Sequence, residues 1–367
     1  MANTNTVDFL QGAGSKVSGE TNLPAVARGT YNRSLLERSY PHLMHQQFGK
    51  QYPLAQRSGQ SMVFRRYERR ALATVPLSDG VTPPGTTLYK TDYRADIKQY
   101  GNFTVVTDWV DFTHVDPIIS EAVELMGENM GESMDAVYRE PLVAGSSVFR
   151  VAADATVGAA GWTSGAARVN VAGTICKGVL DAAIRVLKGV NAKAFTPMIA
   201  GSSRVGTFPV GKAFWCLIHS DQEHDLYNLA HSGMAVGDTF TPVERYSNHT
   251  GVMENEVGKY RNVRFVTSTS TKIWAQAGAA TSGAAAGMKT QGTPGTSQAD
   301  VYACLLFAQN AYGVVPLARG SARTIVHRAG SNTDPLNQRN TVGWKAAGVS
   351  VILNDEWMTR LEVTSLQ

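Results

Sequence analysis

A chain of 367 residues that is 43% hydrophobic and 17% charged can bury a large core and divide into two or more domains, and it is too apolar to be disordered. Its net charge of +4 is too small to argue for nucleic-acid binding by electrostatics alone. The three cysteines, Cys176, Cys216 and Cys304, have no metal-ligand spacing, and their odd number argues against a full disulfide framework, so buried reduced thiols are expected. No apolar run is long enough to cross a membrane, and the opening Met-Ala-Asn-Thr-Asn-Thr lacks the basic and apolar regions of a signal peptide, which predicts a cytosolic product.

Residues 1–30 are polar, with glycines at 12, 14, 19 and 29, and read as an extended arm without a core of its own. Leu35, Leu36, Leu43 and Met44 suggest a short helical piece within Tyr31–Phe48, kinked at Pro41. Met62–Tyr67 and Tyr89–Trp109 are strand-like, separated by the turn signals Ser78-Asp79-Gly80 and Pro83-Pro84-Gly85. Together they predict a long two-stranded excursion with a loose tip. A lone hairpin is marginal in water, so it must dock on something outside itself.

Asp116–Pro141 is predicted to be the main helix of the fold. Asp116 before Pro117 is a start signal, and Ile119, Val123, Met126, Met130, Met134 and Val137 recur at helical spacing. The opposite face carries Glu121, Glu124, Glu128, Glu132 and Asp135, with Pro141 ending the run. Gly127 and Gly131 each cost about 1 kcal/mol in a helix interior, and a close backbone crossing would account for them.

Downstream, Ala144–Gly173 winds through turns, and Ile175–Lys188 reads as a second helix with Val179, Leu180, Ile184 and Leu187 on one side. Lys193–Ala200, Ala213–His219, Val263–Thr267 and Val301–Ala308 read as strands of a mixed sheet, with a further helix through Leu226–Leu229 begun near Asp221. Ala275–Gln298 is rich in Ala, Gly, Thr and Ser and is expected to be an exposed loop. Val349–Leu353 and Trp357–Thr364 read as two closing strands around Asn354-Asp355.

Catalytic signals are weak. Gly206 to Gly211-Lys212 fits most of a phosphate-binding loop, but Ala213 replaces the hydroxyl that would hold magnesium, and a strand follows where a helix is needed. Gly12-Ala13-Gly14 lacks the strand and third glycine of a dinucleotide fingerprint. His219, Asp221, Glu223, His224 and His231 are the densest group of possible metal ligands, without the spacing that sets two imidazoles on one helix face; a strand-to-helix turn capped by Asp221 explains them. No catalytic, cofactor or metal site is therefore assigned.

The informative charges are Arg65, Arg66, Arg69 and Arg70 on the first arm of the hairpin. Strand alternation sends Arg66 and Arg70 to one face and Arg65 and Arg69 to the other, so they do not line a single nucleic-acid groove. Arginine is favoured at protein interfaces, where its planar fork holds carboxylates. The expectation is that this hairpin lies over the acidic helix of a second copy, on Glu121, Glu124, Glu128, Glu132 and Asp135.

Several short stretches, in order, carry a resemblance. They are Phe64-Arg65-Arg66-Tyr67, Thr74 to Pro83, Gln99-Tyr100-Gly101 with Thr107-Asp108, and Asp116-Pro117. Further on come Val301-Tyr302, Ala311-Tyr312-Gly313, Asp334-Pro335-Leu336-Asn337-Gln338-Arg339 and Gly343-Trp344-Lys345. From about Tyr31 onward the chain resembles the major capsid proteins of tailed bacteriophages, particularly the subfamily typified by large coliphages with a virion-borne RNA polymerase.

The resemblance implies an α+β fold, the tailed-phage and herpesvirus major capsid fold of the Hong Kong phage type. It implies an N-arm over 1–56, an E-loop with its base over 57–112, and a P-domain with its spine helix over 113–172. An A-domain over 173–340 would include the 275–298 loop, and 341–367 would supply a returning P-domain strand and a final A-domain strand. The function implied is mechanical and non-enzymatic, with no cofactor. Copies would form pentamers and hexamers of an icosahedral head around double-stranded DNA, in the virion after assembly in the host bacterial cytoplasm. Scaffold, portal and decoration proteins are the implied partners besides the chain itself and the DNA touched by the inner face; no membrane is involved. Some relatives crosslink lysine to asparagine, but nothing identifies a partner for Lys90. The competing expectations are a cellular nanocompartment of the same fold and, remotely, a metal-dependent hydrolase built on His219, Asp221 and His224.

Overall fold

The computed structural model describes residues 43–53, 61–113 apart from 69, 71, 78, 81, 83, 84 and 86, then 118–152, 164–195, 210–229, 240–247, 252–316, 322–327, 336 and 338–367. The predicted arm over 1–30 lies outside these residues, as do Pro41, Asp116, Pro117 and all but 193–195 of the strand expected over Lys193–Ala200; those three residues are not a strand. In chain order, α1 (Met44–Gln47) and β1 (Lys50–Gln51) precede the hairpin strands β2 (Ser61–Tyr67) and β3 (Lys90–Asp96). They are followed by β4 (Lys98–Thr107), α2 (Asp108–Thr113), α3 (Ile118–Val143), β5 (Val148–Arg150) and α4 (Lys177–Gly189). Next come β6 (Phe214–Ile218), α5 (Glu223–Leu229), β7 (Thr241–Pro242), β8 (Glu256–Tyr260), β9 (Val263–Thr267) and β10 (Ile273–Trp274). The last five strands are β11 (Val301–Phe307), β12 (Tyr312–Val315), β13 (Ala322–His327), β14 (Arg339–Ile352) and β15 (Met358–Val363).

Two sheets organise the chain. In the five-stranded one, β14 runs at the centre, with β4 and β13 antiparallel to its first part, β12 on its second part, and β1 parallel to β12. The eight-stranded sheet is mixed, ordered β5-β15-β11-β6-β9-β8-β7 with β10 also on β11; β5–β15 and β6–β9 are its parallel pairs. The predicted strand Tyr89–Trp109 is in fact shared. Its first half closes the hairpin as β3, its second half joins the five-stranded sheet as β4, and Asp108 begins a short helix.

Helix α3 lies on the even-numbered face of β14. Trp344 Nε1 donates to Asn129 Oδ1 (3.0 Å), Ser350 Oγ donates to the carbonyl of Tyr138 (2.7 Å), and a Cβ at Gly348 would fall 2.5 Å from Tyr138 Oη. Ile119, Val123, Met130 and Met134 are buried as predicted, Met126 and Val137 only partly, and Tyr138 and Leu142 extend the stripe. Gly127 and Gly131 are both buried.

Two expectations for this helix are corrected. Pro141 does not end it, because Leu142 and Val143 are buried and continuing the turn keeps them in the core. Ala144 N and Gly145 N then satisfy the carbonyls of Pro141 and Leu142. Asp135 is not on the polar face. It is fully buried, accepting from His45 N (2.9 Å), His45 Nδ1 (2.8 Å) and Ser270 Oγ (2.5 Å), because α1 brings His45 against that side of the helix.

Period-two alternation divides the hydrophobic core. Trp215, Leu217 and Phe307 point from the eight-stranded sheet toward α3, where they meet Phe48, Met130 and Trp344 in one cluster. Phe214, Cys216, Ile218 and Phe265 point the other way, onto Val179, Leu180 and Leu187 of α4 and Leu226 of α5. All three cysteines are buried and free. The stretch 275–298 is a turn-rich, mostly exposed loop, as expected, but it is tied to the body through its middle. Ala285 is buried with Ala172 and Ala299, Lys289 N donates to the carbonyl of Ser365, and Gln367 N to that of Gly287.

Candidate assembly surfaces

The hairpin is paired from Ser61↔Asp96 to Tyr67↔Lys90. Its inward face carries Phe64, which is fully buried with Ala95, Val315 and Leu353 and meets Tyr52 edge-on at 4.8 Å between ring centroids. Gly313 makes room for that ring, since a Cβ there would lie 2.8 Å from Phe64. The base of the hairpin is thus held by the subunit itself.

The rest of the excursion is not buried. Val75 is 82% exposed and Leu77 76%, with Leu72, Leu88 and Tyr89 also open to solvent. These side chains are the strongest sign of an interaction surface on the molecule, because contiguous exposed apolar groups mark sites that a partner covers.

The arginines divide by face. Arg65 donates in a fork to Asp92, its cross-strand partner, from Nε at 2.7 Å and Nη2 at 3.1 Å. The hydrogen bonds from Arg65 hold the Asp92 carboxyl below its usual range. Arg66 turns inward and donates to the carbonyl of Leu353 (3.1 Å). Arg70 is exposed, and Arg69 lies outside the described residues. On α3, Glu121 and Glu132 are exposed and Glu124 and Glu128 half-buried. Arg65 and Arg66 bond within the subunit and Asp135 is withdrawn from any surface; of the rest of the predicted set that is described, Arg70, Glu121 and Glu132 are exposed and Glu124 and Glu128 half-buried.

A second apolar surface, which the sequence reading missed, sits where β4 meets α2. Phe103 is 67% exposed, Trp109 70% and Phe112 78%, and the rings of Trp109 and Phe112 stack at 6.2 Å. The alternation in β4 was legible, but which face would be left open depends on where α3 packs.

Two of the residues weighed as metal ligands, His219 and Asp221, have other work. His219, rather than Asp221, caps the turn after β6: its Nδ1 accepts from Asp221 N (3.1 Å), and its backbone N–H is taken by Gln222. Burial pushes the His219 imidazole down, consistent with a neutral ring that accepts at Nδ1. Asp221 accepts from Tyr302 Oη (2.8 Å) and pairs with Lys289 (2.7 Å), and His231 lies outside the described residues. Among the described residues, His, Cys, Asp and Glu side chains form no group of three or more able to hold a metal ion.

Solved phage capsid structures share this architecture. A capsid structure of cyanophage P-SCSP1u superposes with a TM-score of 0.54 at 16% identity, covering 87% of each chain. The capsid of Ralstonia phage GP4 gives 0.54 at 11% identity over 84% of this chain and 85% of that one. The capsid asymmetric unit of cyanophage Pam1 gives 0.51 at 15% identity over 98% and 99%. The fold is that of tailed-phage capsid proteins. At these identities the likeness is one of fold; no family model matches the sequence, and no curated protein matches it.

Proposed function

We infer that this chain is the major capsid protein of a tailed phage, a non-enzymatic subunit that assembles into pentamers and hexamers of an icosahedral head around double-stranded DNA. In this reading the hairpin β2–β3 is the E-loop, α3 the spine helix of the P-domain, and the eight-stranded sheet the core of the A-domain. Scaffold, portal and decoration proteins are its expected partners, and the coliphage-like subfamily is its expected relation.

One observation carries the reading. A capsid fold matched over nearly the whole chain also projects a hairpin whose outer part leaves Leu72, Val75, Leu77, Leu88 and Tyr89 in solvent. A solitary subunit gains nothing from such exposure, whereas neighbours in a shell would cover it, and interfaces spread over thin limbs reach the areas of obligate assemblies. Heterologous contacts whose rotation closes give rings. Arg70 would reach the acidic face of a neighbouring α3 at Glu121, Glu124, Glu128 and Glu132.

The test is electron microscopy and sedimentation of the expressed protein, alone and with a candidate scaffold, with the particle contents analysed. Closed shells that package DNA support the proposal; shells filled with a protein cargo point to a nanocompartment. A protein that stays monomeric under all these conditions overturns it. Glu124→Lys with Glu128→Lys should impair assembly, and Arg70→Glu should restore it in part.

A further inference from the structure

One buried carboxylate in this fold faces three guanidiniums. Glu362 Oε2 accepts from Arg150 Nε (2.9 Å) and Arg168 Nε (3.2 Å), and its Oε1 accepts from Arg168 Nη2 (2.8 Å) and Arg360 Nε (3.0 Å). Sheet register gathers them. Arg150 of β5 is the parallel neighbour of Glu362 on β15, and Arg360 lies two residues back on the same face of β15. Arg168 enters from the short turn Arg168–Asn170 and lies over the ring of Trp274, its Cζ 3.6 Å from the centroid. Arg360 lies over the same ring at 5.7 Å.

The charges do not balance. Three guanidiniums against one carboxylate leave an excess of two positive charges, and no other carboxylate of the described residues pairs with Arg150, Arg168 or Arg360. Asp355, near Arg360 across Gly145, is engaged by the N–H and hydroxyl of Ser146. Burial alone would raise the Glu362 carboxyl, but the hydrogen bonds from Arg168 and the charges of all three arginines hold it below its usual range. Burial pushes the Arg360 guanidinium down, and the like charges of Arg168 and Arg150 add to the effect.

The excess faces water. The Glu362 side chain is 0% exposed and that of Arg360 8%, whereas Arg150 is 27% and Arg168 31% exposed. The acid therefore lies underneath, with two guanidiniums above it. Each has an N–H edge to spare: Arg150 Nη2 and Arg168 Nη1 give no hydrogen bond to a described residue. Their Nε atoms share one oxygen of Glu362, so both guanidiniums stand within reach of a single small anion.

We propose that Arg150 and Arg168 form a binding site for a phosphate dianion, either free phosphate or the phosphomonoester of a small molecule. A phosphomonoester carries about −1.5 to −2 at pH 7 and three strong acceptor oxygens, which matches the unbalanced charge and the two spare N–H edges. Guanidinium forks hold such oxygens bidentately, and Glu362 and Trp274 set these two in place beforehand. A carboxylate from another protein carries one charge and would leave half of the excess uncompensated. A backbone phosphate of DNA also carries one charge, and duplex binding draws on many such contacts rather than a single cluster. The site belongs to one subunit and does not require that the chain form shells.

The test is titration calorimetry of the full chain, at fixed ionic strength in chloride, with inorganic phosphate, adenosine monophosphate and sulfate. Phosphate or the monophosphate should saturate one site per chain, and whichever binds tighter names the source. Sulfate keeps its double charge at all these pH values, whereas phosphate gains its second charge between pH 5 and pH 8. The preference for phosphate over sulfate should therefore rise about tenfold or more across that range. Arg150→Gln and Arg168→Gln should each weaken phosphate binding about tenfold or more. A readout on the unaltered protein covers the case in which these variants misfold. Phosphate should shield Arg150 and Arg168, but not the exposed Arg94, from an arginine-directed dicarbonyl reagent, scored by peptide mass spectrometry. No saturable binding, a phosphate-to-sulfate preference indifferent to pH, folded variants that bind as well as the parent, or equal shielding of Arg94 overturns the proposal. A glutamate-rich peptide or an unphosphorylated DNA duplex that shields the two arginines at lower concentration than phosphate assigns the site to a protein or to nucleic acid, and refutes it too.

Discussion

Asp135→Asn removes one charge and little volume, and it tests what the buried node between α1 and α3 contributes. The carboxylate accepts three hydrogen bonds, two from His45 and one from Ser270, with both partners of the His45–Asp135 pair fully buried. An amide keeps one acceptor oxygen and turns its NH2 toward groups that are themselves donors. Breaking a buried pair from one side costs about 3–5 kcal/mol, up to a third or more of the roughly 5–15 kcal/mol that stabilises a typical fold. With a urea slope of about 3 kcal/mol/M, the unfolding midpoint of the unassembled protein should fall by about 1–1.7 M. Replacing both partners by leucine should cost far less, because no charge is then stranded. The pH dependence has a defined sign. Burial alone would raise the Asp135 carboxyl, but His45 and the hydrogen bonds outweigh it and hold it below its usual range. A depressed carboxylate contributes stability that is present above the unfolded value of about 3.9 and is lost as pH falls through the folded one. A midpoint shift under about 0.3 M for Asp135→Asn, or a double variant as unstable as the single one, would refute the reasoning.

Phe64→Ala should cost about 3–5 kcal/mol by emptying the pocket between Val315 and Leu353, and hydrogen exchange should rise first over 61–67 and 90–96. Asp225 behaves oppositely to Asp135: burial raises its carboxyl to about 6, so the native state holds its proton more tightly than the unfolded chain. Its burial costs about 2–3 kcal/mol at pH 7 and less as pH falls through 6 toward 4; Asp225→Asn should flatten that part of a urea-midpoint profile. Cys304 is buried, its thiol pushed up to about 12, and burial likewise holds the Cys216 thiol well above its ordinary value, so neither should react with a thiol reagent at pH 8 until the protein unfolds.

Local periodicity carried most of what was legible in the sequence. The apolar faces of α3 and α4, the strands at 214–218, 263–267 and 301–307, and the hairpin arms all followed from spacing, because each buries a regular stripe. Long-range placement was not legible. Asp135 has the helical phase of a surface acid and became a core residue only because α1, far away in sequence, docks His45 against it. Glu362 likewise gave no signal, yet it is fully buried among Arg150, Arg168 and Arg360. The lobe at 275–298 has loop composition and acquires order from backbone bonds to the C-terminal residues. Of the predicted contact set, the glutamates fell on the face expected, whereas the partners of Arg65 and Arg66 depended on strand register and on the turn at Leu353.

The buried charges have a common location. His45–Asp135 joins α1 to α3, Arg264–Glu256 ties β9 to β8 under Trp215, and Glu362 gathers arginines from β5, from the turn at 168 and from β15. Each sits where one piece of chain must meet another in a single register, and apolar packing alone is tolerant of slippage. Such pairs add little net stability over well-packed apolar residues, since desolvation offsets most of the attraction, but a misplaced docking strands a charge and costs several kcal/mol. They therefore fix how α1 sits on α3 and how strands of the eight-stranded sheet align with one another and with the turn at 168. The body is held by buried directional contacts, while beyond Phe64 the hairpin is tied by the Arg65–Asp92 fork at its surface and by the Arg66 bond to Leu353. If the capsid reading holds, substitutions at Asp135 or Glu362 should lower the yield of soluble subunit, whereas substitutions at Val75 or Leu77 should leave the subunit soluble and abolish particles. The reverse pattern would mean that the limbs hold the subunit together and the buried charges do not.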